Sequence, residues 1–190
     1  MGRYLARAVE RASWVKLAVF LALLLAYSFW AFRPESEFMR ALAAAGGSLP
    51  EMRPGFPAGE PAASLARLGD LTDDYVRFQA IDIPYAIFNT LTLAALFALG
   101  AKRFGGPASP LRWLILSPFV YLFAEFVENP LLAILANGAP GAPAALVPLQ
   151  QAATTLKWTA SLPALIVAGI LLLALLARAG ADIFRRRPSG

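Results

Sequence analysis

A few ionisable and amide side chains stand inside stretches of sequence that are otherwise apolar, and they are the best candidates for chemistry. In FVYLFAEFVENPLLAIL (119–135), Glu125 and Glu128 interrupt the apolar run, and Asn129 follows them directly. Asp82 and Lys157 stand in the same way in two other apolar segments. An ionisable group within a membrane is costly and usually faces the interior of a helix bundle or a water-filled cavity. These residues therefore predict a polar site inside a membrane-embedded protein.

The polar residues of three segments fall on one face each when the segments are read at helical spacing. The faces consist of Gln79, Asp82, Ala86 and Asn89, then of Tyr121, Glu125, Glu128, Asn129 and Leu132, and then of Thr154, Lys157 and Ser161. Because lipid disfavours all three polar faces, we expect them to point at one another. The predicted ligand-binding residues are Asp82, Asn89, Tyr121, Glu125, Glu128, Asn129 and Lys157, and no catalytic residue is predicted.

The depth of these residues supports a shared pocket in the outer half of the bundle. We expect Glu128 about 12 Å below the outer end of its helix. Asp82 and Lys157 are expected only a few ångströms down, with the long stem of Lys157 reaching inward. Asn89 and Glu125 are expected deeper, near the midplane. The alternative is that the same residues form a structural polar network that holds the helices together.

Four apolar segments are long enough to position this site across a bilayer, at about 14–32, 81–101, 113–136 and 156–177. A span needs about 20 mostly apolar residues, and 58% of the residues are hydrophobic, more than in an ordinary soluble domain. The first segment is interpreted as an uncleaved helix. The predicted fold class is all-α: an integral membrane four-helix bundle that forms one transmembrane domain over 1–190, with an extracytoplasmic loop at 33–79.

The segment between the first two spans contains two predicted helix starts. SEFMRALAAAG is expected to form a short helix capped by Ser36, and LTDDYVRFQAIDIPY a longer one capped by Thr72 or Asp73. Between them, GGSLPEMRPGFPAGEPAAS is rich in Gly and Pro and is expected to be irregular.

The basic residues predict the orientation. Eleven of the seventeen basic residues lie before the first span or in its first turn, between the second and third spans, or after the fourth. The remaining connections carry few or balanced charges. This positive-inside pattern predicts cytoplasmic N- and C-termini in a cell membrane, expected to be the bacterial cytoplasmic membrane. The same basic clusters are expected to contact anionic lipid of the bilayer and not nucleic acid.

The composition excludes several kinds of site. The chain has no cysteine, so disulfides and thiolate metal sites are excluded, and it has no histidine, so imidazole metal sites and a Ser-His-Asp triad are excluded. We predict no metal and no cofactor.

The third span also carries a resemblance to a known family. FVYLFAEFVENPLLAIL resembles the helix with an intramembrane Glu and a following proline in the EXPERA group, the emopamil-binding-protein-like four-helix membrane proteins. The resemblance implies that Glu125 or Glu128, with Asp82, are pocket acids for a cationic or sterol-like ligand, and some members isomerise a sterol double bond. The histidine of the isomerase members is absent here, and the long 33–71 segment departs from the pattern. RFQAIDIPY, VENP and TTLKW together also resemble uncharacterised bacterial four-span proteins, which implies no activity.

We therefore expect a membrane-embedded binding protein for a lipid-like, isoprenoid or other amphiphilic small molecule, held in an acidic intramembrane pocket. One alternative is a non-catalytic subunit or assembly factor with a membrane-protein partner, or a homodimer. The other is an isomerase-type enzyme in which Glu125 and Glu128 act as acid and base.

Overall fold

The computed structural model describes residues 1–52, 60–139 and 141–185, and within these ranges the chain is helical without a strand. Its α-helices are α1 (Gly2–Glu10), α2 (Trp14–Ala31), α3 (Glu37–Ala44), α4 (Glu60–Ala66), α5 (Thr72–Phe104), α6 (Ser117–Gly138) and α7 (Leu146–Arg185). Short 3-10 turns lie at Pro50–Met52, Gly69–Leu71 and Pro110–Leu116.

Within the described ranges, α2, α5, α6 and α7 are the helices long and apolar enough to cross a membrane, which confirms the predicted all-α fold with four candidate spans. α6 packs against both α5 and α7, whereas α2 packs mainly on α5. Only Leu17 and Ala31 of α2 are buried. In a bilayer this helix needs no further cover, because lipid tails are as apolar as its own side chains.

The long helices extend beyond the predicted spans. α5 begins at Thr72, at the predicted helix start and nine residues before the predicted span, whereas α7 begins at Leu146, ten residues before its predicted span. α7 has 40 residues and is therefore about 60 Å long, twice the thickness of the hydrocarbon core. Hydropathy detects only the part of a helix that is apolar enough for lipid, and these helices continue where the sequence becomes polar.

The segment between α2 and α5 covers one end of the bundle, which we call the loop end. α3 forms as predicted, and the hydroxyl of Ser36 accepts a hydrogen bond from the Met39 amide at 3.4 Å. The predicted cap of α5 is wrong, because the Thr72 hydroxyl donates to the Gly69 carbonyl instead. The described part of this segment contributes Leu49, Leu65 and Leu68 to an apolar cluster. There they are buried together with Tyr75 of α5 and with Leu132 and Leu135 of α6. The prediction that the Pro- and Gly-rich stretch 46–64 is irregular is wrong at its end, where α4 begins at Glu60, because the alanines there favour a helix. Its middle part, 53–59, lies outside the described residues.

The opposite end, which we call the termini end, is closed by the amphipathic helix α1. Its Leu5 and Val9 are buried against α5 and the Pro110–Leu116 turn. The Lys102 ammonium donates to the carbonyls of Glu10 and Ala12, at 2.8 Å each, and so fixes the end of α1 to the end of α5. The first helix and the described end of α7 thus share one end of the bundle. Which side of a membrane that end faces stays a prediction, as does the kind of cell membrane, and Arg186 and Arg187 of the basic cluster lie outside the described residues.

Candidate ligand-binding site

α6 turns its polar residues inward and its apolar residues outward. Glu125, Glu128 and Asn129 are all buried, and so is Tyr121 one turn earlier on the same face. Large apolar side chains of the same helix are exposed, among them Phe119, Val120, Phe123 and Phe126. This inversion is the arrangement expected in lipid, where the exposed surface is apolar and charge is confined to the interior.

Lys157 of α7 brings two of these carboxylates together. Its ammonium contacts Oε2 of Glu128 and lies 3.7 Å from Oε1 of Glu125. The hydroxyl of Thr154, one turn earlier on α7, donates to the other oxygen of Glu128, and the Gln150 amide donates to that hydroxyl at 2.7 Å. Both oxygens of Glu128 therefore contact groups on α7, which joins the two helices at this level.

Asn129 joins α6 to α5. Its amide nitrogen donates to Oδ2 of Asp82 at 3.2 Å and to the backbone carbonyl of Gln79 at 3.3 Å. Pro84, inside α5, lacks the N–H that would normally donate to a carbonyl one turn earlier. Backbone carbonyls next to that gap accept hydrogen bonds from side chains: that of Gln79 from Asn129, and that of Ile81 from the Tyr27 hydroxyl at 2.7 Å. The proline thus lies where α5 is tied to both α6 and α2.

Asp82 of α5, Glu128 of α6 and Lys157 of α7 lie at one level of the bundle, because each is about the same number of residues from the loop end of its helix. Asp82 is ten residues from the start of α5, Glu128 ten from the end of α6, and Lys157 eleven from the start of α7. Each residue lies about 15 Å along its helix from the loop end. The expectation that Asp82 and Lys157 lie only a few ångströms below the outer surface of a bilayer stays a prediction.

A cavity of about 300 Å³ opens beside this cluster, toward the loop end. It is lined by Phe32, Phe38, Glu51, Met52, Phe78, Asp82, Glu125, Lys157 and Trp158. The phenylalanines pack on one another, with ring centroids 4.6 Å apart for Phe38 and Phe78 and 5.5 Å apart for Phe32 and Phe38. The cavity therefore has a charged wall built by α5, α6 and α7 and an aromatic wall built by the end of α2, by α3 and by α5.

Glu51 of the Pro50–Met52 turn is a member of this site that the sequence did not reveal. The Tyr75 hydroxyl donates to its Oε2 at 2.8 Å, and the Trp158 indole donates to its backbone carbonyl at 3.1 Å. Burial raises the pKa of the Glu51 carboxyl to about 7, and the negative charge of Glu128 adds to this, whereas the Lys157 ammonium opposes it. Glu51 lies outside every apolar segment, so neither hydropathy nor periodicity could have indicated it.

Two carboxylate oxygens at the cavity have no hydrogen-bond partner among the described residues. They are Oε1 of Glu51 and Oε2 of Glu125, and both are buried. Buried polar atoms in folded proteins nearly always have a partner, either in the protein or in a bound molecule. Within the described part of the chain, no group of three or more carboxylates is arranged to hold a metal ion.

Not every predicted site residue lines the cavity. Asn89 is half-buried two turns along α5 from Asp82 and is not a lining residue. Tyr121 is buried, and its hydroxyl interacts electrostatically with Glu125 and Asp82, but it lies behind the lining residues. Glu128 and Asn129 hold the lining carboxylates in place without lining the cavity themselves.

Comparison with known proteins gives no relative: no family model, curated protein or solved structure matches this chain. The resemblance of the third span to the EXPERA group therefore stays a prediction that these comparisons do not test.

Proposed function

We propose that this protein binds a lipid-like molecule that carries a protonated amine, with the amine at the charged wall of the cavity and the apolar part along the aromatic wall. The cavity volume of about 300 Å³ is at the lower end of the range of small-molecule sites. It suits the headgroup and the first part of an apolar chain, and the remainder of the chain would extend into the bilayer.

The observation that carries this proposal is the pair of buried oxygens of Glu51 and Glu125 at one cavity, which have no hydrogen-bond partner in the part of the chain that the structure describes. An ammonium group with N–H donors would supply the hydrogen bonds that these acceptors lack. The charge balance favours the same ligand. Within the described ranges, four carboxyl groups, those of Glu51, Asp82, Glu125 and Glu128, lie around the ammonium of Lys157. A site with more acids than bases favours a cation over an anion.

The aromatic wall adds a second source of affinity for a cation. Phe32, Phe38, Phe78 and Trp158 line the same cavity as the carboxylates. A cation within about 6 Å of an aromatic ring is attracted by about 0.5–2 kcal/mol, more when both are removed from water. The same rings give apolar surface to a hydrocarbon chain.

A purely structural network explains these residues less well. Polar contacts between membrane helices contribute about 0.6 kcal/mol each, so such a network gains stability only where its members are paired. The contacts of Asn129 and Thr154 fit that role. A network that served structure alone would not need two carboxylate oxygens that lie beside an open cavity and have no hydrogen-bond partner among the described residues.

The proposal is tested by mass spectrometry of the gently purified protein. We expect the wild type to retain a nitrogen-containing amphiphile. Glu125→Gln should retain at least tenfold less, because the amide removes the negative charge at the cavity. Glu10→Gln is the matched control, since Glu10 is exposed at the termini end, and it should retain as much as the wild type. Size-exclusion profiles of all three proteins check that each is folded.

Other outcomes would contradict the proposal. Equal retention by Glu125→Gln and wild type, or no small molecule in any of the three proteins, would refute it. A stoichiometric membrane-protein partner in place of a small molecule would favour the subunit alternative. Conversion of the retained molecule by the wild type but not by Glu125→Gln would favour the isomerase alternative.

A further inference from the structure

We infer that Glu51 is the residue at which the cavity exchanges a proton for the ammonium group of its ligand, so that binding of the cation releases one proton to water. This inference rests on the proposed function and adds to it the coupling of binding to a particular carboxyl group. It also explains why a residue outside the spans contributes to an intramembrane cluster.

The structure holds Glu51 at the cavity from several directions. Tyr75 of α5 binds its carboxylate and Trp158 of α7 binds its backbone carbonyl. The residues just before it are anchored as well, because Leu49 and Pro50 are buried and the Ser64 hydroxyl of α4 donates to the Ser48 carbonyl at 2.7 Å. The carboxyl group is therefore fixed in position, while its Oε1 has no hydrogen-bond partner within 1–52, 60–139 and 141–185.

The charged and titratable groups that face Glu51 come from every spanning helix packed around it. They are Tyr75 and Asp82 of α5, Glu128 of α6 and Lys157 of α7, and Glu125 of α6 lines the same cavity. Burial is the largest influence, and the resulting pKa of about 7 means that the carboxyl is protonated in about half of the molecules at neutral pH. Small changes of pH near neutrality therefore change the charge of the cavity.

The exchange is balanced in atoms and charge. An alkylammonium ion approaches the protonated Glu51 carboxyl, the O–H bond breaks, and its electron pair remains on the carboxylate. The proton passes to water at the loop end, and an N–H of the ammonium takes its place as the donor to the carboxylate. One positive charge enters and one leaves, so the buried site avoids the large cost of gaining an uncompensated charge.

The test is calorimetric titration of octylammonium into the protein in lipid nanodiscs, with empty nanodiscs as the baseline. Octylammonium stays protonated across the pH range used. Titrations in two buffers of different ionisation enthalpy give the number of protons released. For a carboxyl with a pKa of about 7, we expect about 0.5 proton per ligand at pH 7, about 0.9 at pH 6 and about 0.1 at pH 8. The affinity should fall about fivefold from pH 7 to pH 6.

Substitutions identify the carboxyl group that releases the proton. Glu51→Gln should release about 0.5 proton per ligand fewer than the wild type at pH 7, and its affinity should depend less on pH between pH 6 and 8. Glu35→Gln, at an exposed glutamate of the same segment, is the matched control and should behave as the wild type. Tyr75→Phe should move the midpoint of the pH dependence upward, because the Tyr75 hydrogen bond favours the ionised carboxyl. A merely structural role of Glu51 would leave the proton count unchanged.

The possible failures are distinguishable. If the wild type binds no octylammonium, both the proposed function and this inference are wrong. If the wild type binds it but Glu51→Gln releases the same number of protons, only the inference is wrong. If Glu51→Gln proves unfolded by size exclusion, the Tyr75→Phe titration decides, and an unchanged midpoint in that variant would overturn the inference.

Discussion

Replacement of Lys157 with methionine should destabilise the protein strongly, because it removes the cation that lies between two buried carboxylates. The side chain of Lys157 is 10% exposed, and those of Glu125 and Glu128 are 4% and 0% exposed, so water cannot take over the role of the ammonium. Removing one partner of a buried ion pair costs about 3–5 kcal/mol. Methionine retains an unbranched apolar stem, so the loss reports the charge and not the packing.

The assay is reversible unfolding in mixed micelles, followed by tryptophan fluorescence and circular dichroism. Lys16→Met is the matched control. Lys16 is exposed and donates to the Arg11 carbonyl, so the free energy of unfolding should change by less than about 0.5 kcal/mol. The double variant Lys157→Met/Glu128→Gln should recover part of the loss, because the glutamine removes the charge that the first change left uncompensated.

Two results would refute this reasoning. The first is a loss in Lys157→Met no larger than that in Lys16→Met, which would mean that the ion pair contributes nothing net. The second is a double variant less stable than Lys157→Met alone, which would mean that Glu128 stabilises the bundle without its cation.

Two further substitutions test the contacts of α5. Asn129→Leu removes the donor to Asp82 and leaves a buried acceptor unpaired, so we expect a loss of about 1–3 kcal/mol in the same unfolding assay, and a loss below the assay error would contradict the assignment. Tyr27→Phe removes the donor to the Ile81 carbonyl and should cost about 0.5–1.5 kcal/mol, whereas Tyr4→Phe, at an exposed tyrosine, should cost nothing measurable.

The four candidate spans and the polar face of α6 could be predicted from the sequence, because a bilayer restricts where apolar and charged residues can lie. Lipid penalises a charge by several kcal/mol, so a glutamate within an apolar run has to face inward whatever the rest of the fold does. The burial of Glu125 and Glu128 beside exposed Phe123 and Phe126 follows from that local rule. A helix with strong local constraints can be oriented from its own sequence.

The start of α7 and the contribution of Glu51 could not be predicted in the same way. α7 begins ten residues before the predicted apolar span, and its Leu146 and Val147 pack against the apolar residues at the loop end, among them Leu49 and Leu65. This is a tertiary contact, which the sequence of the span itself does not contain. Glu51 reaches the cavity through Tyr75 and Trp158, which are 24 and 107 residues away in the sequence. No pattern within a single segment encodes such contacts.

The buried carboxylates are of two kinds: one has both oxygens in contact with α7, and two have an oxygen without a hydrogen-bond partner among the described residues. We assign a structural role to the first kind and a binding role to the second. Both oxygens of Glu128 contact α7, through Lys157 and Thr154, so that carboxylate is already neutralised and serves to join two helices. Glu51 and Glu125 each have one buried oxygen without a hydrogen-bond partner in the described part of the chain, and both residues line the cavity. A structural network and a binding site are therefore not competing accounts of the same residues. The paired glutamate holds α6 against α7, and this fixes the position of the unpaired glutamate one turn away at the cavity.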